Sequence, residues 1–186
     1  PELVPEGKTM IAPIVSSGRA TKVLLKTWSQ KYHRTADFVV LEGPLAGGHL
    51  GFKASEVEEG KVKPLEELIP EVLSVIDGFE EEFGKNIPLF AAGGIWSRED
   101  ITGMQTLGAY GVQMATRFIA TKECDASDAY KRYLISKEEE NLSIIHSPVG
   151  MPGRAVKSPM LEKLELVGRI PPRHCSRCIH SCNPGE

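Results

Sequence analysis

Cysteine is scarce in most of this 186-residue chain. Cys124 stands alone in the body, and Cys175, Cys178 and Cys182 crowd the last twelve residues. That distribution is not an even disulfide framework, and it points to a reducing compartment, so a cytoplasmic location is expected. Basic runs are also missing, and the formal net charge is −3. The chain therefore lacks the phosphate-neutralising surface of a general nucleic-acid binder. No stretch approaches the ~20 apolar residues of a membrane span, so no membrane association is expected. The first residues, Pro1-Glu2-Leu3-Val4-Pro5-Glu6, have neither the basic nor the apolar part of a secretory signal. Against these absences stand 41% hydrophobic and 25% charged residues. This is the composition of an ordered globular chain rather than a disordered one. The length allows one domain with a real core.

Four short apolar runs recur, each followed by glycine-rich or polar residues and then a longer segment. They are Met10 to Val15, Phe38 to Leu41, Pro88 to Ala92 and Gly111 to Ala115. Helical patterns follow over about residues 19–32, 65–83, 98–107 and 126–136. Ser97 with Asp100 three residues on has the pattern of a helix N-terminus. Continuous apolar runs predict parallel strands covered on both faces. Repeated strand–helix units predict an α/β fold with right-handed crossovers, either an open sheet or a barrel. From Ser147 to Arg154 the chain, rich in Pro and Gly, reads as irregular.

The segment Glu42-Gly43-Pro44-Leu45-Ala46-Gly47-Gly48-His49 follows the second strand. Its glycines let backbone approach a ligand closely, and loops after parallel strands are where α/β proteins place their sites. An imidazole there can take a proton near neutral pH. The alternative is a tight turn with a structural histidine. Two further segments, Ala91-Ala92-Gly93-Gly94-Ile95 and Gln113-Met114-Ala115-Thr116-Arg117, end the third and fourth strands. Backbone N–H groups after two adjacent strands can converge on a phosphate, with Thr116 adding a hydroxyl. Alone, Gly93-Gly94 is equally a strand-to-helix turn.

Taken together, these blocks, with Glu123-Cys124-Asp125-Ala126, resemble the nitronate monooxygenases, formerly 2-nitropropane dioxygenases. The resemblance runs over about residues 8–160. It implies a TIM-barrel flavoprotein that binds FMN without a covalent link. It implies that His49 is the base that removes the α-proton of a nitroalkane or orients a nitronate. It implies that Gly93 and Gly94, with the backbone of Gln113, Met114, Ala115 and Thr116, hold the FMN phosphate. Glu42, Gly47 and Gly48 complete the implied cofactor site. In the family pattern the position of Ala115 is glycine. Such an enzyme oxidises nitronates to carbonyl compounds and nitrite with molecular oxygen. A flavin-dependent enoyl-ACP reductase on the same scaffold is the second expectation, and a non-catalytic flavin- or phosphate-binding fragment the third.

A full (β/α)₈ barrel takes ~250 residues, and this chain shows four strand–helix units. It reads as the C-terminal four of eight over residues 1–160, with a Cys-rich tail over 161–186. A half-barrel leaves open sheet edges, so a homo-oligomer or association with an N-terminal half is expected. In the tail, Cys175, Cys178 and Cys182 have a spacing compatible with zinc or an iron–sulfur cluster. Free thiols on a tail fit the same spacing. Cys124 reads as structural, and Arg154 as either a surface residue or one that meets an anionic group.

Overall fold

The structure, a computed structural model, describes residues 1–4, 7–147, 150–168 and 170. Four parallel strands form the main sheet in sequence order: β1 (Ile14–Val15), β2 (Val39–Glu42), β4 (Leu89–Ala92) and β5 (Gly111–Gln113). Between them run α1 (Gly18–Tyr32), α3 (Leu65–Phe83) and α4 (Arg98–Thr106). The expected α/β class with a parallel sheet is therefore observed.

Local chemistry explains the helix ends. Ser17 caps α1 by accepting from the Ala20 N–H. Ser97 and Asp100 form a reciprocal capping box on α4. The helix α3 begins after Pro64 with Glu66 and Glu67 in its first turn, where negative charge is favoured. It stops at Gly84, whose φ of 59° takes the left-handed conformation that closes a helix.

The core lies between one face of the sheet and the three helices. Val15, Val39, Leu41, Leu89 and Ala91 pack with Leu25 of α1, Ile69, Val72 and Ile76 of α3, and Met104 of α4. The alternate residues point the other way. Strand register puts Ile14, Val40, Phe90 and Gly111 in one row on that second face. Glu42, Ala92 and Gln113 form the next row, at the C-terminal strand ends.

The expected first strand, 10–15, narrows to two paired residues. The Ile11 N–H instead donates to the Asp37 carboxylate at 2.7 Å. Asp37 also binds Lys85 and Arg34. Burial raises the Asp37 pKa, but the Lys85 and Ile11 hydrogen bonds and the Lys85 and Arg34 charges outweigh it and hold it low. A carboxyl depressed on folding stabilises the fold above its unfolded value, ~3.9. That contribution is lost as pH falls through the lower folded value. Asp37→Asn is therefore expected to lose stability at pH 6 and to narrow its gap to the wild type at pH 2.5. Urea midpoints at the two pH values measure this, and an equal gap at both would contradict it.

A second, three-stranded antiparallel sheet has the order β3 (Gly48–His49), β7 (Pro152–Val156), β6 (Leu142–His146). The irregular segment expected from Ser147 to Arg154 is thus corrected over residues 152–154, which belong to the paired strand β7. Prolines and glycines hid it, because Pro152 and Gly153 sit at its start, where a strand tolerates them. Gly153 is there for space: a Cβ would lie 3.2 Å from the Gly48 carbonyl oxygen. The short helices α2 (Ala54–Glu58), α5 (Thr116–Ile119), α6 (Asp128–Ile135) and α7 (Pro159–Val167) complete the described fold. Among the described residues no helix is long and apolar enough to cross a membrane.

Candidate active site

Three loops meet at the C-terminal ends of β2, β4 and β5. The loop after β2 is tied to β4 by the Gly43 N–H, which donates to the Ala92 carbonyl at 2.9 Å. Gly93 and Gly94 have φ of 97° and 75°, where a side chain is strained. Their bare Cα atoms lie against the β2 loop. A Cβ on Gly93 would come 2.8 Å from the Ala46 nitrogen, and one on Gly94 2.9 Å from the Leu45 Cβ. These glycines therefore let two loops touch, a role that phosphate contact alone did not predict.

Gly47 connects the β2 loop to the β5 loop. A Cβ there would lie 3.6 Å from the Thr116 Oγ1. Gly48 has a φ of 82° and open space within 4 Å of its missing Cβ. Ala115 has a negative φ, −123°, so its backbone does not occupy the left-handed region that favours glycine. Gly47, Gly48, Gly94, Gln113, Ala115 and Thr116 are all exposed, and Met114 is half-buried. Arg117 brings a guanidinium to the same edge, 5.1 Å from the Trp96 ring centroid. Exposed backbone from three loops, space beside Gly48 and a nearby cation fit an anionic phosphate. Gly93 and Gly94 also line a cavity of about 280 Å³ whose charged walls are Glu66 and Asp100, beside Leu45, Leu65, Ile95 and Met104, so that side of the two glycines does not suit an anion.

Glu42 is half-buried, and burial raises its pKa. A carboxyl raised on folding gains stability when protonated, and loses that gain as pH rises through the folded value. Glu42→Gln is expected to be more stable than the wild type at pH 7 and equal to it at pH 3. Thermal unfolding at both pH values checks this, and a less stable variant at pH 7 would contradict it.

His49 sits in β3, opposite Gly153 of β7. Its Nε2 lies 2.7 Å from the Ser147 Oγ. The neighbouring residue Arg154 pairs with Gly48 across the strands, and its Nη2 donates to the Pro44 carbonyl at 2.9 Å. The β6–β7 ribbon thus touches the β2 loop at both ends. Ser147 carried no signal in sequence, since 98 residues separate it from His49. A groove of about 570 Å³ opens between Ser16 and Ser17 at the end of β1, Leu50 and Gly51, Lys53 and Glu56, and Met151 and Pro152.

Cys124 is half-buried and free. Among the described residues no group of three His, Cys, Asp or Glu is placed to hold a metal. Cys175, Cys178 and Cys182 lie outside the described residues.

Glycine-rich loops at the carboxyl ends of a parallel sheet stand where α/β proteins place their sites. The family model for nitronate monooxygenase matches residues 4–179. The chain belongs to that family. A probable nitronate monooxygenase of Staphylococcus saprophyticus is 31% identical over 131 residues, covering 69% of this chain and 34% of that protein. A (3aS,4S,5R,7aS)-5-hydroxy-7a-methyl-1-oxo-octahydro-1H-indene-4-carboxyl-CoA dehydrogenase of Mycobacterium tuberculosis is 30% identical over 163 residues, covering 88% and 39%. The solved structure of FabK from Thermotoga maritima superposes with a TM-score of 0.63 at 27% identity, over 87% of this chain and 43% of that one. This chain therefore spans well under half the length of the relatives it matches.

Proposed function

We propose that this chain carries the catalytic base and the phosphate-holding loops of an FMN-dependent nitronate monooxygenase. The observation that carries the reading is the meeting of the His49-bearing loop after β2 with the loops after β4 and β5 at one edge of a parallel sheet. The family membership supports it. The reaction converts a nitronate or nitroalkane to a carbonyl compound and nitrite, with molecular oxygen as oxidant. Bound FMN supplies the electron-transfer chemistry.

The chain's own residues do the rest. Gly93, Gly94 and the backbone of Gln113 to Thr116 hold the phosphate. Gly47 and Gly48 let the β2 loop come close to the cofactor, and Glu42 lines its inner wall. His49 takes the α-proton. The groove beside Leu50 and Gly51 accepts a small nitro compound. The row Ile14, Val40, Phe90 on the sheet face away from the helices, with Ile14 61% exposed, is covered by further strand–helix units. We place the chain as the C-terminal four of eight such units, completed by an N-terminal half or a second copy.

A flavin-dependent enoyl reductase is the second reading. The relationship to a CoA-ester dehydrogenase favours it, since that substrate is also an acyl thioester. One assay separates the two. The protein is loaded with FMN and given propyl-2-nitronate in air or NAD(P)H without air. Nitrite release in the first arm supports the monooxygenase. Flavin bleaching in the second arm, with no nitrite in the first, supports the reductase.

A further inference from the structure

We propose that Ser147 is a positioning residue for the His49 base. It accepts a hydrogen bond from Nε2–H and thereby leaves Nδ1 as the basic nitrogen. This rests on the reading of His49 as the proton acceptor.

The argument begins with geometry. His49 is held by its backbone in β3, opposite Gly153, but it is an exposed side chain, so the backbone does not fix its ring. The 2.7 Å contact between Nε2 and the Ser147 Oγ does. Ser147 is itself anchored: its N–H donates to the Met151 carbonyl at 2.9 Å, bridging the end of β6 to the start of β7. The β7 strand in turn pairs with His49. The serine hydroxyl and the histidine ring therefore belong to one small sheet and move together.

The chemistry then selects the nitrogen. A neutral imidazole has one donor and one acceptor nitrogen, and the partner of one sets the role of the other. If Nε2 donates to Ser147, Nδ1 keeps its lone pair for the substrate. When Nδ1 takes the proton, Nε2 remains a donor and the Ser147 contact survives. It also strengthens, because a charged ring donates more strongly. If the hydroxyl donated to Nε2 instead, it would have to turn when that nitrogen was protonated. The charged or titratable groups on β7, which pairs with β3, and on β6 beyond it are Arg154 and His146, and Lys53 follows on the same segment as His49. Arg154 is directed to the Pro44 carbonyl. None of them changes in a Ser147 variant, so a change in the His49 ring reports the serine.

The experiment is nitrogen-15 NMR of the His49 ring in the full chain without FMN, at a pH where the ring is neutral, for the wild type, Ser147→Ala and Ser147→Thr. A single neutral hydrogen bond biases a two-state equilibrium several-fold. The expected result is the Nε2–H form in the wild type and in Ser147→Thr, and a several-fold larger share of Nδ1–H in Ser147→Ala. The same tautomer ratio in wild type and Ser147→Ala, or a wild type dominated by Nδ1–H, would overturn the proposal. In the FMN-loaded protein, Ser147→Ala is expected to lower kcat by roughly ten-fold or more, with KM little changed, because a misaimed base costs rate rather than binding. The NMR arm needs neither flavin nor turnover. A tautomer change alongside full activity in His49→Ala would remove the catalytic reading and leave the serine contact standing. Unchanged tautomers alongside an inactive His49→Ala would remove the serine proposal alone.

Discussion

Replacing His49 by alanine is expected to lower nitronate formation from a neutral nitroalkane about 10²–10⁴-fold, the range that a positioned general base supplies. FMN retention and thermal stability should stay close to those of the wild type. The reason lies in how the residue is held. Its backbone pairs with Gly153 whatever the side chain, and the ring is exposed and meets the Ser147 hydroxyl. Truncation therefore removes chemistry without opening a core cavity. A preformed nitronate, which has already lost its α-proton, should be affected much less than the parent nitroalkane. Rates with both substrates make the measurement. Equal losses on the two would show that His49 binds or orients rather than abstracts, and no loss on either would remove it from the reaction.

Gly93→Ala is expected to destabilise the protein by about 2–6 kcal/mol, combining ~1–3 for a strained positive φ with ~1–3 for overpacking. The two terms have separate origins here: the φ is 97°, and the added Cβ would meet the Ala46 backbone at 2.8–3.0 Å. Gly48→Ala is the internal comparison. It shares the positive φ, at 82°, but meets nothing within 4 Å, so only the first cost applies. Denaturant unfolding of both variants should place Gly93→Ala clearly below Gly48→Ala. Because the clash pushes the β2 loop off the strand ends, Gly93→Ala should also weaken FMN retention. Equal stabilities would mean that the two loops do not touch as described.

Much of the architecture is legible in the amino-acid order because its causes are local. The continuous apolar run around Val39 to Leu41, the glycine at 84 and the Ser97–Asp100 pair each act within a few residues, and α3 appears at its expected bounds of 65 and 83. The first strand came out shorter because a distant carboxylate, Asp37, takes the Ile11 N–H out of the ladder. The β6–β7 pair was hidden because its pairing is satisfied across the fold, by β3, while its own residues include Pro152 and Gly153. The site divides the same way. The glycines of the β2 loop stand together in sequence after one strand, so the approach of Gly47 to Thr116 and of Ala46 to Gly93 follows from parallel strand order. The contacts of Ser147 with His49 and of Arg154 with Pro44 join residues 98 and 110 positions apart, and no local pattern announces them.

The central claim is that the loops after β2, β4 and β5 build a flavin site, and flavin stoichiometry tests it most directly. The full chain is mixed with FMN, excess cofactor is removed, and bound flavin is quantified by absorbance beside a circular dichroism spectrum. Gly94→Val is carried through in parallel, since its side chain would meet Leu45 at the strand ends. The account predicts that the folded wild type keeps about one FMN per site and that the folded variant loses it. A folded wild type that keeps no FMN, or a variant that keeps as much as the wild type, would contradict it.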